Sequence, residues 1–436
     1  MKSVYDMTTF KIQFMRTQLL TTIFVLLSVA LPGLAQKRTF ADAQKVAADF
    51  FQSKDNNAKV CALRVNSKCG RKLLKRAASA TQEATDAYYL FANEDNNRLL
   101  VVSGDERMQR ILGYTDHALV GNAIPDGLAD LLEGYAAQYA ALGAVPTTSA
   151  SNAPARSALY KGERQLQTAA WGQWDPFNRM TPQAYPTGCA ATAMAIVMRY
   201  HQWPDVGNGS KTHIWTDSVM TAKFGETHYD WANMPMSYEK FNDTQATAVA
   251  LLMRHLGISV EMYYAAESSG ARQTLVPQAL AQYFRYGSTA RLLTASDYDA
   301  ATWDRMMRKE IDSNRPVIYT GESIQGRGAH GFVLDGYRDN LFHFNFGWNG
   351  SGNGYFAISA ITSTDRSFEF ANKQQAVIGI TPLKAENCAP LQLDCQGKYE
   401  GFYTTLTTLK AGEKQSVHLS DLSALTTWQG KMQWNL

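Results

Sequence analysis

One cysteine and one histidine stand apart in this 436-residue chain, which holds 5 cysteines and 8 histidines in all. Cys189 lies in "PTGCAATAMAIVMRYHQWP", at the mouth of a run of helix formers that ends with His201 and a proline. The unpaired amides and dipole at a helix N-terminus stabilise a thiolate, so this placement favours a reactive cysteine. Free cysteine is also among the most buried residue types, which leaves a plain apolar role as the competing reading. A cysteine nucleophile needs a base. His330 opens "HGFVLDGY" directly after the glycine-rich "GESIQGRGA", a strand start beside a turn, which suits the lip of a cleft.

A third group must orient the imidazole. In "LFHFNFGW" strict alternation sets Phe342, Phe344, Phe346 and Trp348 on one face and Leu341, His343, Asn345 and Gly347 on the other. The aromatic face reads as core. Asn345 then points away from it, where its amide oxygen can accept from the His330 ring, and Trp348 can shield that bond from water. His343 shares the Asn345 face and is the rival base. Acyl transfer also needs donors for a developing oxyanion. The Cys189 amide is one, and Gln173 in "WGQWDPFN" is one of several polar residues ahead of the cysteine able to supply another.

The elements that must position these groups follow from periodicity. "FADAQKVAADFF" and "LADLLEGYAAQYAAL" have helical spacing, and "YYLFANEDNNRLLVVSGD" reads as a hairpin. Together they predict a small α+β unit. "GAVPTTSASNAPARSALYKGER" is poor in large apolar residues and reads as an exposed linker, with Arg156, Lys161 and Arg164 open to nicking. From Gln165 the chain is first helical ("TQATAVALLMRHLG", "PQALAQYF", "ATWDRMMRKEIDSN") and then stranded ("PVIYT", "HGFVLDGY", "LFHFNFGW", "GYFAISAI", "QQAVIGITP"). A helical half followed by an antiparallel sheet predicts two lobes and a cleft.

Lys plus Arg is 42 and Asp plus Glu is 39, and the formal net charge of +3 gives no electrostatic footprint for nucleic acid. The N-terminus carries Lys11 and Arg16, an apolar stretch from Leu19 to Leu31 and "LPGLA", the pattern of a secretory signal cut after Ala35. That apolar core is short for a membrane span. Export implies an oxidising compartment, where Cys61 with Cys69 and Cys388 with Cys395 make close couples and leave Cys189 over.

"WGQWDPFN", "TGCAATAMAIVMRYHQWP", "GAHGFVLDGY" and "FHFNFGWNGSGNGYF" together resemble the streptopain-like cysteine peptidases, a papain-fold family of exported bacterial enzymes. The spacing 330 − 189 = 141 lies in the range of about 130–150 residues that separates nucleophile and base in papain-like enzymes. By resemblance Cys189 is the nucleophile, His330 the base, Gln173 an oxyanion donor, Asn345 the histidine orienter and Trp348 its indole shield. Phe346 stands where that family has a tryptophan, a departure that touches cleft packing more than chemistry. The resemblance implies an α+β, papain-like, two-lobed domain over residues 161–382. It also implies a propeptide at 36–160 that keeps the enzyme latent as an intramolecular inhibitor, behind the signal at 1–35. Residues 383–436 read as the start of a C-terminal β module that stops without an obvious final strand.

The expected activity is hydrolysis of protein or peptide substrates by a secreted cysteine endopeptidase, without metal or organic cofactor, nucleic-acid partner or membrane span once the signal is removed. Acyl transfer to an amine rather than water stays open. A serine hydrolase is disfavoured because "GESIQG" misses the G-x-S-x-G elbow, and zinc chemistry lacks an H-E-x-x-H pair. The alternative from another class is a catalytically silent binding or adhesion protein on the same fold.

Overall fold

The computed structural model describes residues 37–65, 72–75, 87–94, 97–143, 160–216, 218–322, 328–359 and 373–384. The predicted signal, Cys69, most of the linker, the Cys388 and Cys395 couple and the C-terminal module lie outside the described residues. Among the described residues Cys61 and Cys189 are free thiols. The chain divides into a large unit, Met1–Ile380, and a second, Thr381–Leu436. Among the described residues no helix is long and apolar enough to cross a membrane.

In the large unit the N-terminal domain opens with α1 (Phe40–Gln52), begun by a capping box in which Thr39 and Asp42 satisfy each other's amides. Strands β1 (Val60–Val65), β2 (Leu73–Lys75), β3 (Tyr88–Asn93), β4 (Arg98–Ser103) and β5 (Ile111–Thr115) follow, then α2 (Asp126–Gly143). A short β6 (Glu163–Gln165) leads into the helical lobe: α3 (Cys189–His201), the hairpin β7 (Lys211–Trp215) and β8 (Ser218–Ala222), α4 (Asp243–Ser259) and α5 (Leu275–Tyr283). The second lobe comprises β9 (Arg291–Thr294), α6 (Ala300–Asp312), β10 (Val317–Glu322), β11 (Ala329–Arg338), β12 (Leu341–Asn345), β13 (Gly354–Phe356) and β14 (Gln375–Ile378).

The predicted helices and the hairpin are present, and so is the order of a helical half before an antiparallel sheet. The linker is shorter than expected. Its last two residues, Glu163 and Arg164, form a strand with Gln165 that pairs with Gly336–Arg338 of β11, and the Gly162 carbonyl accepts from the Asp339 amide at 2.7 Å. Polar composition concealed that strand, because β6 is held by ladder bonds and by the Arg338–Glu163 ion pair rather than by apolar burial.

The two domains share one 12-stranded sheet, in the order β2-β1-β3-β4-β5-β13-β12-β11-β10-β14-β9 with β6 beside β11. The seam is an antiparallel pairing of β5 with β13, Tyr114 opposite Tyr355 and Thr115 opposite Gly354. Only glycine fits at 354, since a Cβ there would meet the Tyr114 carbonyl at 2.2 Å. The apolar cores follow the same division. One core fills the helical lobe around α3. A second spans the domain boundary, joining Leu128, Leu132 and Tyr135 of α2 to Phe332, Phe344 and Phe346 of the sheet lobe.

Candidate active site

Cys189 is the first residue of α3, and nearly every residue after it up to Met198 is buried, so the helix is fixed against both lobes. Its N-cap is Gly188 at φ 85° and ψ 142°, a conformation a side chain tolerates poorly, and a Cβ there would come within 2.6 Å of the Met262 sulfur. Both the amide and the hydroxyl of Thr192 donate to the Gly188 carbonyl at 3.1 Å. The cysteine is thereby delivered at a sharp turn into the helix. Burial pushes its thiol up, and the carboxylate of Asp126 adds to that, while the amides of Gly331 and Ala190 pull the other way. The expected helix-terminus stabilisation of a thiolate is therefore outweighed here, because desolvation and a nearby negative charge both favour the neutral thiol.

His330 lies in β11, next to the Gly331 amide that faces the thiol. Its ring is engaged by the N-terminal domain. Nδ1 is 2.7 Å from Asp130 Oδ2 and Nε2 is 3.8 Å from Asp126 Oδ2, both on α2 of the N-terminal domain. The Asp130 side chain is only 1% exposed, so the contact is desolvated on the carboxylate side. Asp126 and Asp130 are one helical turn apart and share a face, and together they clasp the imidazole from both nitrogens. Sequence reasoning passed over these two residues. The available signal was an acidic pair at i, i+4 at the start of a helix whose other face is strongly apolar.

Asn345 is 1% exposed and does not meet His330 in this state. Its amide nitrogen donates to Thr168 Oγ1 at 3.0 Å and to the Ala169 carbonyl at 2.9 Å, and its oxygen accepts from the Gly347 amide at 3.2 Å. The expected alternation holds for Phe342, Phe344 and Phe346, which enter the core, but not for Trp348, because β12 ends at Asn345 and Gly347 turns the chain at φ 69°. The opposite face is equally buried, because the segment around Thr168 and Ala169 covers it. His343, the rival base, is 2% exposed. Its Nδ1 is 2.5 Å from Asp335 Oδ1, and its Nε2 is 3.1 Å from both Asp116 Oδ2 and Gln165 Nε2. Burial works against a charge there, but Asp335 and Asp116 hold its pKa up to about 10. With both ring nitrogens engaged, it is a buried ion-pair partner in a position unsuited to proton shuttling.

Gln173 and Trp348 are both half-buried. The Gln173 carbonyl accepts from the Thr187 amide at 3.1 Å, two residues before the cysteine. The Trp171 carbonyl accepts from the Asn349 amide at 3.0 Å, which ties the turn after β12 to the same strip of chain. Gln173, Cys189 and Trp348 thus belong to neighbouring segments, whereas the Asn345–His330 hydrogen bond is absent.

A helix that begins on a cysteine in one lobe, set against an antiparallel sheet whose strand carries a histidine, defines the two-lobed papain-like fold, here with an α+β domain joined to its sheet. The Peptidase C10 family matches residues 171–356, and the Spi protease inhibitor family matches residues 35–139. The thiol protease/hemagglutinin PrtT of Porphyromonas gingivalis is 30% identical over 396 residues, covering 84% of this chain and 44% of PrtT. Streptopain of Streptococcus pyogenes is 29% identical over 319 residues, covering 66% of this chain and 80% of streptopain. Among solved structures, a prointerpain A fragment from Prevotella intermedia superposes with a TM-score of 0.58 at 30% identity, covering 69% of this chain and 98% of the fragment. The chain belongs to the peptidase C10, or streptopain, family, with an N-terminal propeptide domain. It spans less than half the length of PrtT.

Proposed function

We propose that this chain is a secreted cysteine endopeptidase made as a latent zymogen. The observation that carries the reading is the capture of His330 by Asp126 and Asp130 of the propeptide beside a cysteine at a helix N-terminus. While α2 holds the imidazole, Cys189 has no base and its thiol stays protonated. When α2 leaves, both carboxylates go with it. The thiol loses the charge that opposed its ionisation and the imidazole is free to take its proton.

The Cys189 thiolate then attacks the peptide carbonyl, with the oxyanion received by the Cys189 amide and Gln173. His330 protonates the leaving amine, and water hydrolyses the thioester. Asn345 orients the His330 ring in the active state, and Trp348 keeps water from that bond. Residues 1–35 direct export. Processing occurs in the linker that ends the propeptide at about residue 160, and the catalytic domain covers residues 161–382.

The test is expression from Gln36 of the wild type and of Cys189→Ala, with casein hydrolysis measured under reducing conditions and the propeptide followed on a gel. The wild type alone is expected to lose its propeptide and cleave casein, and its Cys189 to react rapidly with iodoacetamide. Equal inactivity of the two, with a slow thiol in the processed wild type, would instead favour a binding protein on a peptidase fold.

A further inference from the structure

A buried polar chain runs from the propeptide to the back of the cleft, and the chemistry proposed above leaves most of it without a role. It starts at Asp116, passes through His343 to Asp335 Oδ1 and continues from the other oxygen of Asp335, which accepts the Thr168 hydroxyl. Thr168 Oγ1 in turn accepts from Asn345 Nδ2 at 3.0 Å. Asp335, His343 and Asn345 are each no more than 2% exposed, so every donor and acceptor among them must be accounted for.

The accounting is directional. A carboxylate only accepts, so Thr168 commits its single proton to Asp335 and can offer Asn345 nothing but a lone pair. The neighbouring Ala169 carbonyl is likewise an acceptor. Only the NH2 end of the Asn345 amide can face these two oxygens, and flipping the amide would oppose its oxygen to both. The amide oxygen is thereby forced to the far side, where the Gly347 amide uses one of its two lone pairs.

We propose that Thr168 and Asp335 are positioning residues that lock the Asn345 amide with its oxygen toward the cleft, ready to accept the His330 ring N–H once the histidine leaves α2. His343 supplies the buried cation opposite Asp335. The inference rests on the reading of Asn345 as the histidine orienter, and its test separates the two.

Thr168→Val, Thr168→Ser, Asp335→Asn, Asn345→Ala and the double variant Thr168→Val/Asn345→Ala are made in the full chain and matured with tagged wild-type enzyme that is then removed. The readouts are kcat, KM and the pH profile of each, with thermal unfolding as a check on folding. Thr168→Val is expected to lower kcat by roughly tenfold, the worth of one hydrogen bond, with KM little changed. Its pH profile should move in the same direction as that of Asn345→Ala. Thr168→Ser should restore both, and the double variant should be no worse than Asn345→Ala alone. Asp335→Asn, which gives Thr168 a donor and frees its proton for a flipped amide, should reproduce the Thr168→Val loss and serves if the valine variant does not fold. A wild-type kcat and profile in Thr168→Val beside an impaired Asn345→Ala, or additive losses in the double variant, overturns the inference. A wild-type Asn345→Ala overturns the orienter reading on which it stands.

Discussion

The grip of α2 on His330 makes a quantitative demand on the activation proposed above. Asp130→Asn keeps the shape of the side chain and a carbonyl oxygen able to accept from Nδ1, but removes the charge. Two unit charges 4 Å apart interact by about 4 kcal/mol at an effective dielectric of 20. That figure is an upper bound here, since the His330 side chain is 18% exposed and Asp126 remains 3.8 Å from its other nitrogen. Hydrogen bonds to charged groups are worth about 1 to 1.5 kcal/mol more than neutral ones, and that difference is the part Asp130→Asn removes. A loss of about 1.4 kcal/mol raises the population of released histidine tenfold. If release gates the first cleavage, purified Asp130→Asn zymogen at low concentration should lose its full-length band roughly ten times faster than wild type. Asp126→Asn, acting beyond hydrogen-bond distance, should have a smaller effect. Thermal unfolding of Asp130→Asn in the Cys189→Ala background establishes that the propeptide is still folded. Processing at the wild-type rate by a folded Asp130→Asn zymogen would refute the view that this ion pair is what holds the enzyme latent.

Further outcomes follow from the same geometry. His343 is held charged up to about pH 10 against an ordinary value of 6.5, so its contribution to zymogen stability is whole below pH 6.5 and is lost as pH rises through 10. Burial disfavours the Asp116 charge, yet His117 and His343 hold its carboxyl below the ordinary 3.8, so its contribution is present above that pH and fades in stronger acid. Thermal unfolding of the Cys189→Ala zymogen should therefore show an alkaline decline above pH 6.5, limited to about 1.4 kcal/mol per pH unit, that His343→Gln flattens. Gly188→Ala should cost about 1–3 kcal/mol in denaturant unfolding from its φ of 85° and depress activity by displacing Cys189. Gly354→Ala should loosen the β5–β13 seam and accelerate propeptide loss on a gel, while the matured enzyme keeps wild-type kcat.

Much of this architecture was readable from local pattern. The apolar spacing of α1 and α2, the hairpin of β3 and β4, and the strands β10, β11 and β12 each announce themselves within a window of a dozen residues. What escaped depends on distant partners. β6 is polar and exists because β11 offers it a ladder, so composition alone assigns it to a linker. β13 is three residues long, and its pairing with β5 joins segments some 240 positions apart in register, which no local period encodes. At the site, Cys189 and His330 could be picked out by their settings at a helix start and a strand start. The clasp of Asp126 and Asp130 could not, because it lies on another domain. Alternation placed Asn345 away from the aromatic core, but burial of that face depends on where the chain around Thr168 packs.

In the proposed activation the continuous sheet has a second consequence besides a freed histidine. When β5 departs, β13 changes from an interior strand to a border, and its amides and carbonyls are left as an open template for any extended chain that comes near. Borders of this kind invite self-association, and the defence here is brevity: Gly354–Phe356 offers three residues of ladder, too few to seed a stable foreign strand. On the proposed reading the propeptide domain is a hem as well as a clasp, finishing the fabric of the sheet until it is released.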